Sequence, residues 1–191
     1  MKTPLISLMV FCCLAALHSA GVSLYGGLQN KKTAVPQAGM AADPWESLRF
    51  LVGEWVGVEG TGQPGEAISG GTSFAFDLGD KILVRKNRAD YAPKPGEQTG
   101  ISHQDLLILY QLTGETEIRG FYVDNEGHAI NYLVTSPGKG KAVFESAESK
   151  TGPRYRLDYE LNADRALTIT FSIAMPGTTY TVYTRGTAHR K

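Results

Sequence analysis

The stretch that decides the fold is IRGFYVDNEGHAINYLV, residues 118–134. Runs of apolar and polar residues flank a central DNEG, residues 124–127, as in two β-strands joined by a turn. This tetrapeptide suits a three-residue hairpin loop in which Gly127 takes the left-handed conformation. The loop predicts three cross-strand pairs: Tyr122–Ile130, Gly120–Tyr132 and Ile118–Val134.

A second turn, Thr113-Gly114, predicts the preceding hairpin. As a two-residue loop it places Leu109 opposite Ile118 and Leu107 opposite Gly120. The two turns are interpreted independently, yet they bring large side chains onto one face of the sheet. A slip of one residue would scatter this set over both faces. The shared face holds Leu107, Leu109, Ile118, Tyr122, Ile130, Tyr132 and Val134.

The strand-and-turn pattern extends along the chain from residue 53. In residues 154–161 Tyr and Leu alternate with charged residues, and in residues 166–174 Leu, Ile and Phe alternate with Thr and Ser. Each such strand has one apolar and one polar face. The predicted strands lie near residues 53–58, 71–78, 81–88, 105–112, 116–123, 128–135, 140–147, 154–161, 166–174 and 178–186.

These strands predict an all-β protein, a roughly ten-stranded antiparallel up-and-down β-barrel. Closure hides one continuous apolar surface and removes exposed strand edges. A two-sheet sandwich is the alternative. A short helix over residues 44–51 precedes the first strand, because Asp43 before Pro44 and Glu46 is a typical helix start.

The N-terminal region predicts export to the periplasm or the exterior. Residues 1–20 have the basic start, apolar run and small-residue exit of a signal peptide. An uncleaved anchor is the alternative, but the apolar run is shorter than the ~20 residues of a spanning helix. Residues 21–42 are interpreted as a flexible linker, and residues 43–191 as the barrel domain. No membrane span is expected after cleavage.

Composition excludes several classes of site. The only cysteines, Cys12 and Cys13, lie in the predicted signal peptide, so the mature chain would have no disulfide, thiolate nucleophile or cysteine-bound metal. The formal net charge is zero and no basic run exists, which argues against nucleic-acid binding. No nucleophile-elbow, phosphate-loop or zinc-protease motif is present.

Two polar groups deserve comparison with known site patterns. Asp124, Glu126 and His128 fall on one turn and could suggest a metal site, but turn formation explains them, so no metal is predicted. His103 and Asp105 share one side of a strand and could act as a general-base pair. A solvated barrel rim is the preferred interpretation for these two, and no catalytic residue is predicted.

Gly53-Glu54-Trp55 after a short helix, with Arg185 on the last strand, resembles the calycin superfamily of lipocalins, fatty-acid-binding proteins and nitrobindin-like barrels. The stretches FYVDNEGHAINY and PRYRLDYEL are similar to exported bacterial domains of this kind. The resemblance implies that Trp55 plugs the closed end and that Arg185 stacks across it. If Pro176-Gly177 is a two-residue turn, however, Arg185 points outward.

The resemblance also raises haem, which nitrobindin-like barrels bind through a histidine on a late strand. Residues 129–188 contain no histidine, and His189 lies near the C-terminus. No haem or other cofactor is therefore expected.

The predicted function is binding of a small apolar or amphipathic molecule in the barrel interior. Tyrosines offer apolar rings and hydroxyls to such a site. A small isomerase or hydrolase with a His or Asp at the barrel mouth is the alternative, and a filled structural barrel is a third. Oligomeric state is left open. The predicted ligand-binding residues are Leu107, Leu109, Tyr122, Tyr132, Tyr155 and Tyr159.

Overall fold

The computed structural model describes residues 43–57, 67–94 and 96–191. The predicted signal peptide and linker, residues 1–42, lie outside this range. A 3-10 helix, Glu46–Leu51, precedes the first strand. No helix among the described residues has the length and apolar character needed to cross a bilayer. The strands are β1 (Gly53–Gly57), β2 (Ala67–Asp77), β3 (Ile82–Tyr91), β4 (Ile101–Gln111), β5 (Ile118–Asp124), β6 (Ala129–Gly138), β7 (Lys141–Ser146), β8 (Arg154–Leu161), β9 (Leu167–Ala174) and β10 (Thr181–Arg190).

The ten strands form one closed antiparallel barrel in sequence order, and β10 pairs with β1 to complete it. The predicted up-and-down barrel is confirmed, and the sandwich alternative is wrong. Closure gives each of these strands a neighbour on both sides, so none of them has an unpaired edge. Each strand needs only one apolar face, because that face points into the barrel.

The hairpin of residues 118–134 has the predicted register. Tyr122 faces Ile130, Gly120 faces Tyr132 and Ile118 faces Val134. The Gly127 N–H donates to the Asp124 carbonyl at 3.3 Å, and Gly127 has a φ of 91°. The turn chemistry read from the sequence therefore sets this register.

The register predicted for the preceding hairpin is wrong by two residues. Leu109 faces Gly120, and Leu107 faces Tyr122. The loop is longer than Thr113-Gly114, because residues 112–117 all lie outside the strands. A shift of two residues keeps each side chain on its predicted face, so the predicted inner face survives the error.

One half of the interior is a solid apolar core beside the 3-10 helix. Leu48 and Leu51 of the helix are fully buried. The Trp55 side chain is 1% exposed, and its Nε1–H donates to the Leu51 carbonyl at 2.8 Å. Phe74, Leu83, Leu109 and Leu167 fill the same half.

The cation that stacks on the Trp55 indole is Arg190. The prediction that Arg185 stacks there is wrong. Beyond a register shift between Val182 and Thr184, Thr184 lies opposite Phe171 and Gly186 opposite Ile169, so Arg185 keeps the alternate face that the two-residue turn gives it. Arg185 then lies opposite Thr170 and donates to its hydroxyl at 3.1 Å. Arg190 lies opposite Trp55, with its Cζ 4.4 Å from the ring centroid.

Candidate functional site

The other half of the barrel contains a cavity of about 450 Å³. Its apolar lining includes Leu157, Ile169 and Phe171 from β8 and β9. Tyr183, 75% exposed, also lines it, which indicates that the cavity opens to solvent near this residue. A polar group faces the apolar wall and comprises Thr72, Arg85, Asn87, His103, Asp105, Tyr122 and Tyr132.

A wall of glycines makes room for this cavity. Gly57, Gly70 and Gly186 line it from β1, β2 and β10. A Cβ at Gly70 would lie 2.6 Å from the Arg88 carbonyl oxygen, so the two backbones pack too closely for a larger residue. Gly70 lies within β2, two residues before Thr72, and without a side chain there the cavity wall is bare backbone.

The centre of the polar group is a buried ion pair. The Arg85 and Asp105 side chains are 5% and 1% exposed, and the Arg85 Nη1 lies 3.3 Å from the Asp105 Oδ1. The Arg85 Nε–H donates to the Thr72 hydroxyl at 3.1 Å, and the Asn87 amide donates to the Asp105 Oδ2 at 2.9 Å. Buried charges need such pairing to offset lost hydration.

These partners keep Asp105 ionised. Burial opposes its charge, but the charge of Arg85 and the hydrogen bonds from His103 and Asn87 hold the pKa of Asp105 below its ordinary value. The cavity wall therefore carries an ionised carboxylate beside an ionised guanidinium. A solvated rim was predicted for Asp105, and that prediction is wrong because the side chain points into the barrel.

His103 connects the cavity with the exterior. Its side chain is 22% exposed, and its Nδ1 lies 2.8 Å from the Glu126 Oε1. Its Nε2 lies 3.2 Å from the Tyr122 hydroxyl and 3.5 Å from the Asp105 Oδ2. The Asp105 carboxylate, with help from Glu126 and against the effect of burial, raises the pKa of His103 to about 9. The imidazole is therefore protonated at neutral pH and donates from both nitrogens.

The Asp124–His128 segment has the structural role that its sequence predicted. The Asp124 Oδ1 accepts hydrogen bonds from the Glu126 and His128 backbone N–H groups at 3.0 and 2.9 Å. The Asp124 Oδ2 accepts one from the Tyr122 hydroxyl at 3.1 Å, which orients that ring at the cavity. Among the described residues, no group of His, Cys, Asp and Glu has metal-binding geometry.

The Asp105 Oδ1 accepts no hydrogen bond in the described structure, although the Arg85 Nη1 lies 3.3 Å from it, and the Tyr159 hydroxyl in the core beside the cavity has no partner either. The Tyr159 ring lies under Arg85, whose Cζ is 5.8 Å from the ring centroid. Burial raises the pKa of Tyr159, which keeps the hydroxyl protonated. Each unpaired buried polar group costs about 1–3 kcal/mol, and native proteins contain few of them.

The predicted ligand-binding residues separate into two groups. Tyr122 and Tyr132 line the cavity. Leu107, Leu109 and Tyr159 belong to the buried core and do not line it. The half-buried Tyr155 stacks on Phe171, with ring centroids 6.0 Å apart, and so packs beside the apolar wall.

Sequence reasoning missed Arg85, Asn87 and Phe171. A usable signal was present for Arg85. Leu83, Arg85 and Asn87 are every second residue of β3, so all three share the inward face on which Leu83 is buried. A charged residue at an inward position of an alternating strand indicates a polar interior.

Neither the known protein families nor the curated proteins contain a match to this chain. Its function is therefore inferred from the geometry of the cavity.

Proposed function

We propose that this protein binds a small amphipathic molecule inside the barrel. The observation that carries the proposal is a single cavity with a buried polar group on one side and an apolar wall on the other. Its volume of about 450 Å³ lies in the range of ligand pockets. The apolar part of the ligand packs against Leu157, Ile169 and Phe171, and its polar end faces Arg85 and Asp105.

The proposal includes export. Residues 1–20 have the pattern of a signal peptide, and the chain after it has no cysteine. Native mass spectrometry of protein purified from its own compartment tests whether a ligand is present after export.

A cavity-filling variant tests the site directly. A Cβ at Gly186 meets no atom within 4 Å, and Gly186 lines the cavity, so Gly186→Leu places a side chain in the empty space. We expect it to weaken binding of the neutral probe N-phenyl-1-naphthylamine by about tenfold or more. The readout is probe fluorescence during titration.

Gly138→Leu is the matched control. A Cβ at Gly138 also meets no atom within 4 Å, but Gly138 does not line the cavity. Equal probe affinity in both variants, or no probe binding by the unchanged chain, contradicts an interior ligand site.

Acid catalysis is a second candidate, favoured by His103 and Tyr122 lying side by side at the cavity. With its pKa raised to about 9, His103 is suited to donate a proton and unsuited to remove one at neutral pH. Asp105 is a poor acid because its pKa is lowered. Binding is therefore the better-supported function. Turnover of aryl esters or enol ethers that disappears in His103→Gln would establish the enzyme instead.

A further inference from the structure

The cations at the polar end of the cavity already have carboxylate partners. Arg85 lies 3.3 Å from Asp105, and His103 lies 2.8 Å from Glu126. The pair formed by Arg85 and Asp105 is buried, so solvent screens it little. An anionic ligand at this end would find two cations, each neutralised by a nearby carboxylate.

The remaining cations of the cavity lining are also engaged. Arg88 lies 3.0 Å from Asp90. Arg185 donates to Thr170, which lies opposite it on the β9–β10 ladder. Arg88 thus has a carboxylate partner, whereas Arg185 bonds to a neutral hydroxyl, so that contact does not offset its charge.

The same region retains capacity for hydrogen bonds. A carboxylate has about four lone-pair sites, and the Asp105 Oδ1 accepts no hydrogen bond in the described structure. The polar end thus lacks a hydrogen-bonding partner and has no net charge to neutralise.

From this balance we infer that the ligand carries an uncharged hydroxyl or amide at its polar end, and that Asp105 excludes carboxylates from that position. The inference rests on the proposed function of interior ligand binding. An uncharged donor gains hydrogen bonds at Asp105 without adding charge. A carboxylate would lose its hydration beside an ionised carboxylate that already occupies Arg85. Asp105 is therefore a specificity-determining residue.

A head-group series on the unchanged chain tests the inference. Decanol, decanamide and decanoate share one alkyl chain and differ only in the polar end. Each is titrated near neutral pH against protein loaded with N-phenyl-1-naphthylamine, and isothermal titration calorimetry supplies affinities independent of the probe. We expect decanol and decanamide to bind about tenfold or more tightly than decanoate.

Asp105→Asn tests the role of the carboxylate. The variant keeps the size of the side chain but leaves the charge of Arg85 uncompensated, so decanoate should gain about tenfold while decanol changes little. Asp158→Asn is the control, because Asp158 is also a strand carboxylate paired with an arginine, Arg156, but does not line the cavity. It should leave all affinities unchanged. Near-UV circular dichroism confirms folding of both variants.

The outcomes separate the two proposals. Discrimination against decanoate that is reduced in Asp105→Asn supports the role of Asp105. Decanoate binding to the unchanged chain as tightly as decanol overturns the inference and leaves ligand binding standing. Failure of all three compounds and of the probe to bind overturns ligand binding and the inference together. If Asp105→Asn does not fold, the series on the unchanged chain still decides the head group.

Discussion

Arg190 lies over the indole of Trp55, with its Cζ 4.4 Å from the ring centroid. Its guanidinium also donates to the backbone carbonyls of Val52 and Phe50, which joins the end of β10 to the segment before β1. The Trp55 Nε1–H in turn donates to Leu51. One side-chain stack thus connects the first strand, the last strand and the 3-10 helix at the closed end of the barrel.

Trp55→Ala should destabilise the protein by about 3–5 kcal/mol, the usual range for a large buried aromatic residue. The indole is 1% exposed and its N–H is hydrogen-bonded, so truncation leaves both a cavity and an unpaired Leu51 carbonyl. Chemical denaturation followed by tyrosine fluorescence measures the change. A loss below about 1 kcal/mol would show that Trp55 does not hold the closed end together.

Arg190→Ala should cost more stability than Arg185→Ala. Cation–π contacts contribute about 0.5–2 kcal/mol, and Arg190 adds two hydrogen bonds to carbonyls. Arg185 makes one hydrogen bond, to Thr170, and does not contact Trp55. Urea midpoints of the two variants, measured side by side, give the order. A larger loss in Arg185→Ala would return the closure role to that residue.

The fold was predictable because its determinants are local. Alternation and turn chemistry gave the number of strands and the register of residues 118–134, and both depend on residues close in sequence. The partner of Trp55 was not predictable in the same way. Trp55 lies opposite Arg190 in the pairing of β1 with β10, which joins strands far apart in sequence and has no turn between them to set its register.

The site was less predictable than the fold because it depends on where glycines leave space that larger side chains would fill. Tyr122 and Tyr132 line the cavity, but the space they face exists where Gly70 and Gly186 lie across the barrel. Alternation identifies which residues of each strand face inward. It does not show at which level of the barrel their side chains fill the interior and at which level a cavity remains. Leu107 and Leu109 share that inner face and lie in the solid half.

Substitutions of Arg85 and Asp105 should have strongly non-additive effects on the free energy of unfolding. Arg85→Met or Asp105→Leu alone should cost about 3–5 kcal/mol, because each leaves one buried charge without its partner. The double variant should cost much less than the two single losses together, since it removes both charges. Denaturant unfolding of all four proteins gives the coupling energy.

Arg156 and Asp158 provide the comparison for that cycle. Their charged atoms lie 2.8 Å apart, closer than those of Arg85 and Asp105, but their side chains are 38% and 28% exposed. Exposed ion pairs contribute about 0–1 kcal/mol, so this cycle should show weak coupling. Equal coupling in the two cycles would contradict the importance of burial at the cavity.

His103 should make stability depend on pH in the alkaline range. Its folded pKa of about 9 lies above the ordinary 6.5, so the folded protein binds the extra proton more tightly. This stabilisation is complete below about pH 6.5 and is lost as pH rises through about 9. Urea midpoints between these values should fall, and His103→Gln should flatten that part of the profile. His189→Gln, on β10 opposite Val56, controls for removal of a histidine. If the profile is unchanged in His103→Gln, titratable groups other than His103 cause the pH dependence.

Gly120→Ala should destabilise the barrel because it overfills the junction between the solid core and the cavity. A Cβ at Gly120 would lie 3.0 Å from the Leu109 Cδ2 and 3.1 Å from the Leu107 Cδ1, tighter than normal contacts. Both leucines are fully buried, so they have little room to move, and overpacking of this kind costs about 1–3 kcal/mol. Gly138→Ala is the control, because a Cβ there meets no atom within 4 Å. Thermal unfolding by calorimetry compares the two. If Gly120→Ala is as stable as Gly138→Ala, the leucines can shift toward the cavity, and the boundary between core and cavity is softer than these contacts indicate.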